Sequence, residues 1–308
     1  MQEQIVPYMG AAAQISKNSL EELVDKLQVF EDGQWVAEEK LDGQWAAVYV
    51  RNGKVDRIVS RTGKEKPFQP LLSYVFPNLL EGVLIGEIGY GSSNPNLKDK
   101  WFVVYDFLGI RSCMGTWWGT EISTTGRRSV LEQHSYWWKD KVCLVDRRYK
   151  NFFNFYLEVL NRQGEGIMLK KVDTFYQPGC RIPEMIKVKK EVLVDMVVMG
   201  FEWRKAEEMS ELTKSKGQAG CIKNILCGQY KDGNLVQEVA VGSMEDSTRM
   251  WFTQHHQEAI GKVIVVKGWG QFESGAIRHP SLYHDKDGAF LRSDIGEKDC
   301  VYGKVNLV

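Results

Sequence analysis

Between Gln34 and Ser60 the chain alternates apolar and polar residues in three runs, broken at Asp42-Gly43 and again at Asn52-Gly53. Period-two alternation interrupted by Asp-Gly and Asn-Gly is the pattern of strands joined by tight turns. Lys40 stands at the first break, inside Glu38-Glu39-Lys40-Leu41-Asp42-Gly43. The stretch reads as strand, turn and strand, with an exposed amine held rigidly at the mouth of a sheet. For these six residues alone a solvated hairpin lysine is the simpler account. The later stretches of the chain decide between the two.

The composition is that of an ordinary globular protein: 308 residues, 43% hydrophobic and 26% charged, long enough for two domains. No apolar run approaches a membrane span, and Met1-Gln2-Glu3-Gln4 lacks a basic-then-apolar signal region, so the expectation is a cytoplasmic protein without membrane contact. Six cysteines are scattered with no C-x-x-C pair, which predicts reduced thiols and no structural zinc. The 40 basic and 40 acidic residues cancel. Up to Lys190 there are 26 basic and 23 acidic residues, and beyond it 14 and 17, so the two parts carry +3 and −3. Any nucleic-acid contact must therefore come from local clustering.

Taken in order, Ser19-Leu20-Glu21-Glu22 reads as a capping box opening a helix with Leu20, Leu23, Val24 and Leu27 on one face. A polar loop at Ser60-Arg61-Thr62-Gly63-Lys64 comes after the third strand, and Pro67–Leu80 reads as helix. Val83–Ile88 is a buried strand with one acid, Glu87, which is costly to bury unpaired. Asn94-Pro95-Asn96 is loop, and Phe102–Leu108 is another buried strand. The tryptophan-rich stretch 111–150 receives a helix at Arg127–His134 and no chemistry. Asn151–Leu160 reads as helix, and Gly164-Glu165-Gly166 brackets an acid ahead of the apolar strand Ile167–Leu169, which ends at Lys170 and Lys171. In Met185–Lys190 the alternation puts Lys187 and Lys189 on one face of a strand. Such like charges repel, and a soluble edge strand is the plain account of them.

After Glu191 the pattern changes to short strands near Leu193–Trp203, Cys221–Gln229, Val236–Val241 and Val263–Trp269, with turns at Lys231-Asp232-Gly233 and Glu273-Ser274-Gly275 and a helix near Asp246–Ile260. This predicts a small Greek-key barrel of the OB type. Residues 204–220 form a charged segment expected to be mobile.

The order Lys40-Leu41-Asp42-Gly43, Arg61, Glu87, Tyr105-Asp106, Glu165-Gly166 with Lys170, then Lys187-Val188-Lys189 resembles the covalent nucleotidyltransferase superfamily of ATP-dependent DNA ligases, RNA ligases and capping guanylyltransferases. Within it the chain looks most like small phage-type ATP-dependent DNA ligases, with Ala276–Ser281 similar to their terminal Arg-His-Pro segment. The resemblance implies an α+β fold: an adenylyltransferase domain of ATP-grasp-like antiparallel sheets with helices over residues 1–190, then an OB-fold β-barrel over 191–308. It implies ATP and Mg²⁺ as cofactors, nicked duplex DNA as partner and a monomer whose two domains close around the duplex. The extra modules of NAD-dependent ligases find no room in 308 residues, which favours ATP.

The chemistry agrees. A phosphoramidate needs an unprotonated amine, so the nucleophile's pKa must fall, and Lys187, Lys189 and a metal ion would lower it. The same cations would neutralise the α-phosphate as pyrophosphate leaves. Carried over, the resemblance makes Lys40 the nucleophile and places Glu38 at the adenine edge, with Tyr105 stacked on the base. Arg61 and Glu87 hold the ribose and phosphate region, Glu165 ligates Mg²⁺, and Lys170 adds a phosphate contact. Arg278 and Lys286 orient pyrophosphate, and Asp42 completes the set. Two positions depart from the family: Trp45 stands where an arginine is usual, and the terminal arginine-rich stretch is reduced to Tyr283-His284-Asp285-Lys286. The alternatives are an RNA ligase or guanylyltransferase with another acceptor or base, and a non-catalytic OB module that only binds nucleic acid.

Overall fold

The computed structural model describes residues 9–12, 20–77, 81–90, 92, 97–109, 118–138, 141–205, 220–269, 276–285, 287–302 and 306–307. Ser19, the 94–96 loop, Trp117, most of the charged 204–220 segment, the Glu273–Gly275 turn and Lys286 lie outside the described residues. The chain divides into two compact units, Met1–Lys189 and Lys190–Val308.

The first unit carries strands β1 (Met9–Ala12), β2 (Trp35–Glu39), β3 (Gln44–Arg51), β4 (Lys54–Ser60) and β5 (Gly82–Ile88). They are followed by β6 (Phe102–Phe107), β7 (Val142–Leu144), β8 (Arg147–Arg148), β9 (Gly166–Lys171) and β10 (Arg181–Lys189). Its helices are α1 (Leu20–Gln28), α2 (Gln69–Leu72), α3 (Thr124–Ser135) and α4 (Phe152–Asn161). The strands form two sheets, in the orders β1-β10-β9-β2-β8 and β4-β3-β5-β6-β7.

Each sheet has a helix-covered face and an inner face. On the first sheet Ala37, Ile167, Leu169 and Val188 pack under Leu23, Leu27, Phe152 and Phe155 of α1 and α4. On the second, Val48, Leu84 and Val104 pack with Leu71 and Leu131 from the helical side. Between the sheets Ala47, Tyr49, Val59 and Ile85 meet Ile182 and Met185, with Trp45, Tyr105 and Met168 partly buried beside them. Burying apolar side chains of this size stabilises by about 1.5–3 kcal/mol each, so these layers fix how the two inner faces oppose.

Asn52-Gly53 behaves as its sequence predicts: both residues take positive φ (51° and 75°), and β3 pairs antiparallel with β4 across them. Asp42-Gly43 does not. β2 and β3 belong to different sheets, so the expected hairpin is instead a passage from one sheet to the other. Gly43 is needed there for close approach: a Cβ at this position would lie 2.7 Å from the carbonyl oxygen of Ile88. Two helices also differ from expectation. Of the expected helix Pro67–Leu80, the described residues 67–77 form only the single turn α2, where Pro70 sits in the first turn. The helix near 246–260 breaks at His255 into α5 (Asp246–Gln254) and α6 (His256–Ala259).

The second unit adds β11 (Val192–Trp203), β12 (Ile222–Lys231), β13 (Asn234–Val241), β14 (Val263–Gly268), β15 (Ser281–Leu282), β16 (Leu291–Arg292) and β17 (Asn306–Leu307). The order is β13-β12-β11-β14-β15, with β16 on β14 and β17 on β11. The long β11 pairs with β14 through its first half and with β12 through its second, bending the sheet around Val194, Met196, Val198, Ile225, Phe252 and Ile264. Among the described residues the sheet is an open path, without the closure of the expected barrel. Asp232 and Gly233 both take positive φ at the β12–β13 turn, as their sequence predicts.

Candidate active site

Lys40 sits where the chain leaves the first sheet for the second, its backbone N–H donating to the Gly166 carbonyl at 2.8 Å. Its side chain is only 17% exposed, against the expectation of a solvated amine. Nζ donates to Glu165 Oε2 at 2.5 Å, and Lys189 Nζ donates to the other oxygen at 2.7 Å. Burial opposes ionisation of Glu165, yet Lys40 and Lys189 outweigh it and hold the carboxyl below its ordinary range. Glu165 keeps its place through Gly166, whose φ of 140° suits glycine and where a Cβ would come 2.1 Å from the Val188 carbonyl oxygen.

The lysine pair expected from alternation shares the inner face of β10, which is an internal strand between β1 and β9 and no edge. Burial and the proximity of Lys40 pull Lys189 down to about 8 despite its bond to Glu165. Burial, Lys40, Arg181 and Arg61 lower Lys187 as well. Glu87 faces this cluster from β5. Burial raises its carboxyl to about 7, with Lys40 pulling down and Glu165 pushing up. Arg61, exposed in the turn after β4, is near enough to act on both Glu87 and Lys187. The structure thus brings together Lys40, Arg61, Glu87, Glu165, Lys187 and Lys189.

A second charged cluster lies along the same inner face. In register, Glu38 stands opposite Arg147 on β8 and Met168 on β9. Arg147 grips Glu38 Oε1 through Nε at 2.8 Å and Nη2 at 2.5 Å, while Lys170 Nζ holds Oε2 at 2.5 Å. All three are buried. Burial works against the charge of Glu38, but Lys170 and Arg147 overcome it and set the carboxyl at about 2. Lys170 Nζ also lies 4.9 Å from the Tyr105 ring centroid. Its amine therefore engages both Glu38 and Tyr105. Trp45 is partly buried with Tyr105 and Met168 between the sheets.

Sequence reasoning missed Arg147 and Arg127, both in the stretch given no chemistry. Arg127 is fully buried and clasps Asp106 through Nε (2.6 Å) and Nη2 (3.2 Å), tying β6 and its Tyr105 to α3. No local motif marks either arginine, because their partners are assigned only by sheet register and helix docking. Asp42 is half-buried in the passage, its carbonyl accepting from Ser92 Oγ at 2.7 Å. Arg278 belongs to the second unit, where its carbonyl accepts from Trp269 N–H at 3.0 Å. Lys286 lies outside the described residues.

No family model matches the chain. Over 150 residues, 43% of the chain and 26% of the relative, it is 45% identical to a DNA ligase of Methanosphaerula palustris. The chain spans about a quarter or less of the length of the curated relatives it matches, all named DNA ligase. Among solved structures it is similar to Pmar-Lig_Pre, with a TM-score of 0.65 and 17% identity over 94% of this chain and 68% of that one. It is also similar to a structure from work on Lig E DNA ligases, with a TM-score of 0.60 and 17% identity over 94% of this chain and all of the other. The likeness to these solved structures extends over both units, the two facing sheets with a lysine at their junction and the mainly antiparallel unit that follows. In sequence and in fold the chain is similar to the DNA ligases, a nucleotidyltransferase family.

Proposed function

We propose that the chain is an ATP-dependent polynucleotide ligase that seals 5′-phosphate/3′-hydroxyl nicks in duplex DNA, and that its units act as an adenylyltransferase domain and an OB-type domain. The observation that carries this is the Lys40–Glu165–Lys189 chain at the junction of the sheets, with Lys187 and Glu87 beside it. Lys40 Nζ attacks the α-phosphorus of ATP, forming a P–N bond as the bond to the pyrophosphate oxygen breaks. The hydrogen bond to Glu165 Oε2 gives the amine proton a route away. Lys187 and Lys189 meet the charge that develops on the phosphate oxygens. AMP then passes to a 5′-phosphate, and a 3′-hydroxyl displaces it.

Tyr105 offers its ring to the base, and Arg61 and Glu87 flank the sugar and phosphates. Among the described residues no group of three or more His, Cys, Asp or Glu side chains could hold a metal. An ionised Glu165 with Glu87 nearby still fits Mg²⁺, which commonly takes one or two carboxylates together with substrate phosphates. When bound, such an ion would neutralise phosphate charge. The test is a nicked duplex labelled at its 5′-phosphate and incubated with ATP or GTP and Mg²⁺. The reading expects a sealed strand with ATP only. No sealing by folded protein, or sealing with GTP alone, overturns it.

A further inference from the structure

Glu39, the residue just before Lys40, has no part in the chemistry described so far, yet its side chain is only 10% exposed. Alternation along β2 puts it on the same face as Ala37, which packs under the helices, while Glu38 turns to the inner face. Glu39 therefore points toward the end of α4, away from the cluster around Lys40. There its Oε2 accepts from Arg162 Nη2 at 2.6 Å, and Arg162 is the residue that caps α4. The same Nη2 lies 3.8 Å from Asp146 Oδ2, and the Asp146 carbonyl accepts from Glu39 N–H at 3.2 Å. Glu39 Oε1 is buried against Gly164, where a Cβ would come 3.2 Å from it.

Burial raises the Glu39 carboxyl, Arg162 draws it down and Asp146 pushes it up again, with a net rise. A pair whose burial outweighs its attraction is a poor source of stability. What it does fix is geometry. Glu39 stands one residue before Lys40, and Arg162 stands three before Glu165. Between Arg162 and Glu165 the chain turns sharply through Gln163, at a φ of 63°, and Gly164. The ion pair thus joins the two segments that carry the Lys40 amine and the Glu165 carboxylate. On the other side of that junction the backbone bond from Lys40 N–H to the Gly166 carbonyl joins them again.

Resting on the ligase reading above, we propose that Glu39 and Arg162 form a clamp that holds Lys40 and Glu165 in register for the attack on ATP. Both are positioning residues. They act through the 2.5 Å hydrogen bond from Lys40 Nζ to Glu165 Oε2, and Glu39 reaches them from the face of β2 opposite to Glu38. Loosening the clamp lets the α4–β9 turn shift against the end of β2, which misaligns the amine and its proton acceptor together.

The test follows single-turnover self-adenylylation of the full chain at saturating ATP and Mg²⁺. The rate constant reports how well Lys40 and Glu165 are held, and the amplitude reports how much of the protein is folded. Glu39→Gln and Arg162→Gln are each expected to lower the rate constant by about tenfold to a hundredfold, the scale of a misplacement of about 1 Å. Amplitude and KM for ATP should stay at the parent's values, because neither residue touches the nucleotide. The double variant should be no slower than the slower single one, since both changes break one contact. Arg162→Lys, which keeps the charge, should recover part of the rate. A merely structural pair would lower the amplitude and leave the rate constant unchanged, and that result overturns the proposal. Multiplied losses in the double variant overturn it too. Arg162 is 35% exposed, so Arg162→Gln decides even where Glu39→Gln fails to fold. If the parent forms no adduct with ATP at all, the ligase reading fails and this inference falls with it. A parent adduct matched in rate by both single variants sinks the inference alone.

Discussion

Glu87 carries its unusual protonation because it is half-buried on β5, where desolvation is the largest cause, with Glu165 near it, and the cations around it only partly compensate. The sign of the consequence comes from linkage. With its carboxyl raised from 4.5 to about 7 in the folded chain, Glu87 holds a proton that the unfolded chain has already released across that window. The stability it contributes is complete below 4.5 and is lost as pH rises toward 7. Glu87→Gln should therefore be more stable than the parent at pH 7.5, by up to roughly 3 kcal/mol. The advantage should shrink toward zero near pH 4.5. Urea midpoints of both proteins across this range give the answer; parallel curves would mean that Glu87 titrates normally.

At the scale of elements, the passage from β2 to β3 governs the site, because it delivers Lys40 from one sheet to the other. Gly43 permits it by lying against the Ile88 backbone, where a Cβ would come 2.7 Å from the carbonyl oxygen and 3.1 Å from Glu87 Cβ. Gly43→Ala should cost about 1–3 kcal/mol as backbone gives way and should lower self-adenylylation more than stability alone explains. Thermal melting together with adduct yield separates the two effects, and an unchanged yield would show that Gly43 does not govern how Lys40 is delivered.

The same passage shows what the sequence could convey. Asn52-Gly53 was legible as a hairpin because positive φ at two adjacent residues is a local demand. The same-face pair Lys187 and Lys189 was legible because period two is local to one strand. Asp42-Gly43 looked identical to a hairpin, since the sheet that a strand joins is decided by distant packing. Glu38 and Arg147 lie 109 positions apart and meet only through the β2–β8 register. The pairing of Lys170 with Glu38 was hidden for the same reason, as was the open path of the second unit, which depends on how the long β11 shares itself between β12 and β14.

In the whole molecule the chain forms two units of nearly opposite small charge. The first holds Lys40, the proposed nucleophile, with its cluster, and the second holds Arg278. If Arg278 serves pyrophosphate alone, Arg278→Ala should slow self-adenylylation strongly and leave sealing of a pre-adenylylated nick almost unchanged. Single-turnover rates on the two substrates make the comparison; an equal fall in both would assign Arg278 to DNA docking or to general stability. Every later step depends on a covalent bond between Lys40 and AMP, so that bond is the central claim. Intact mass after incubation with ATP and Mg²⁺ tests it directly: the parent should gain one AMP, and Lys40→Ala, folded by circular dichroism, should gain none. A folded parent that gains no AMP, or a Lys40→Ala variant that gains it at undiminished yield, would contradict the account.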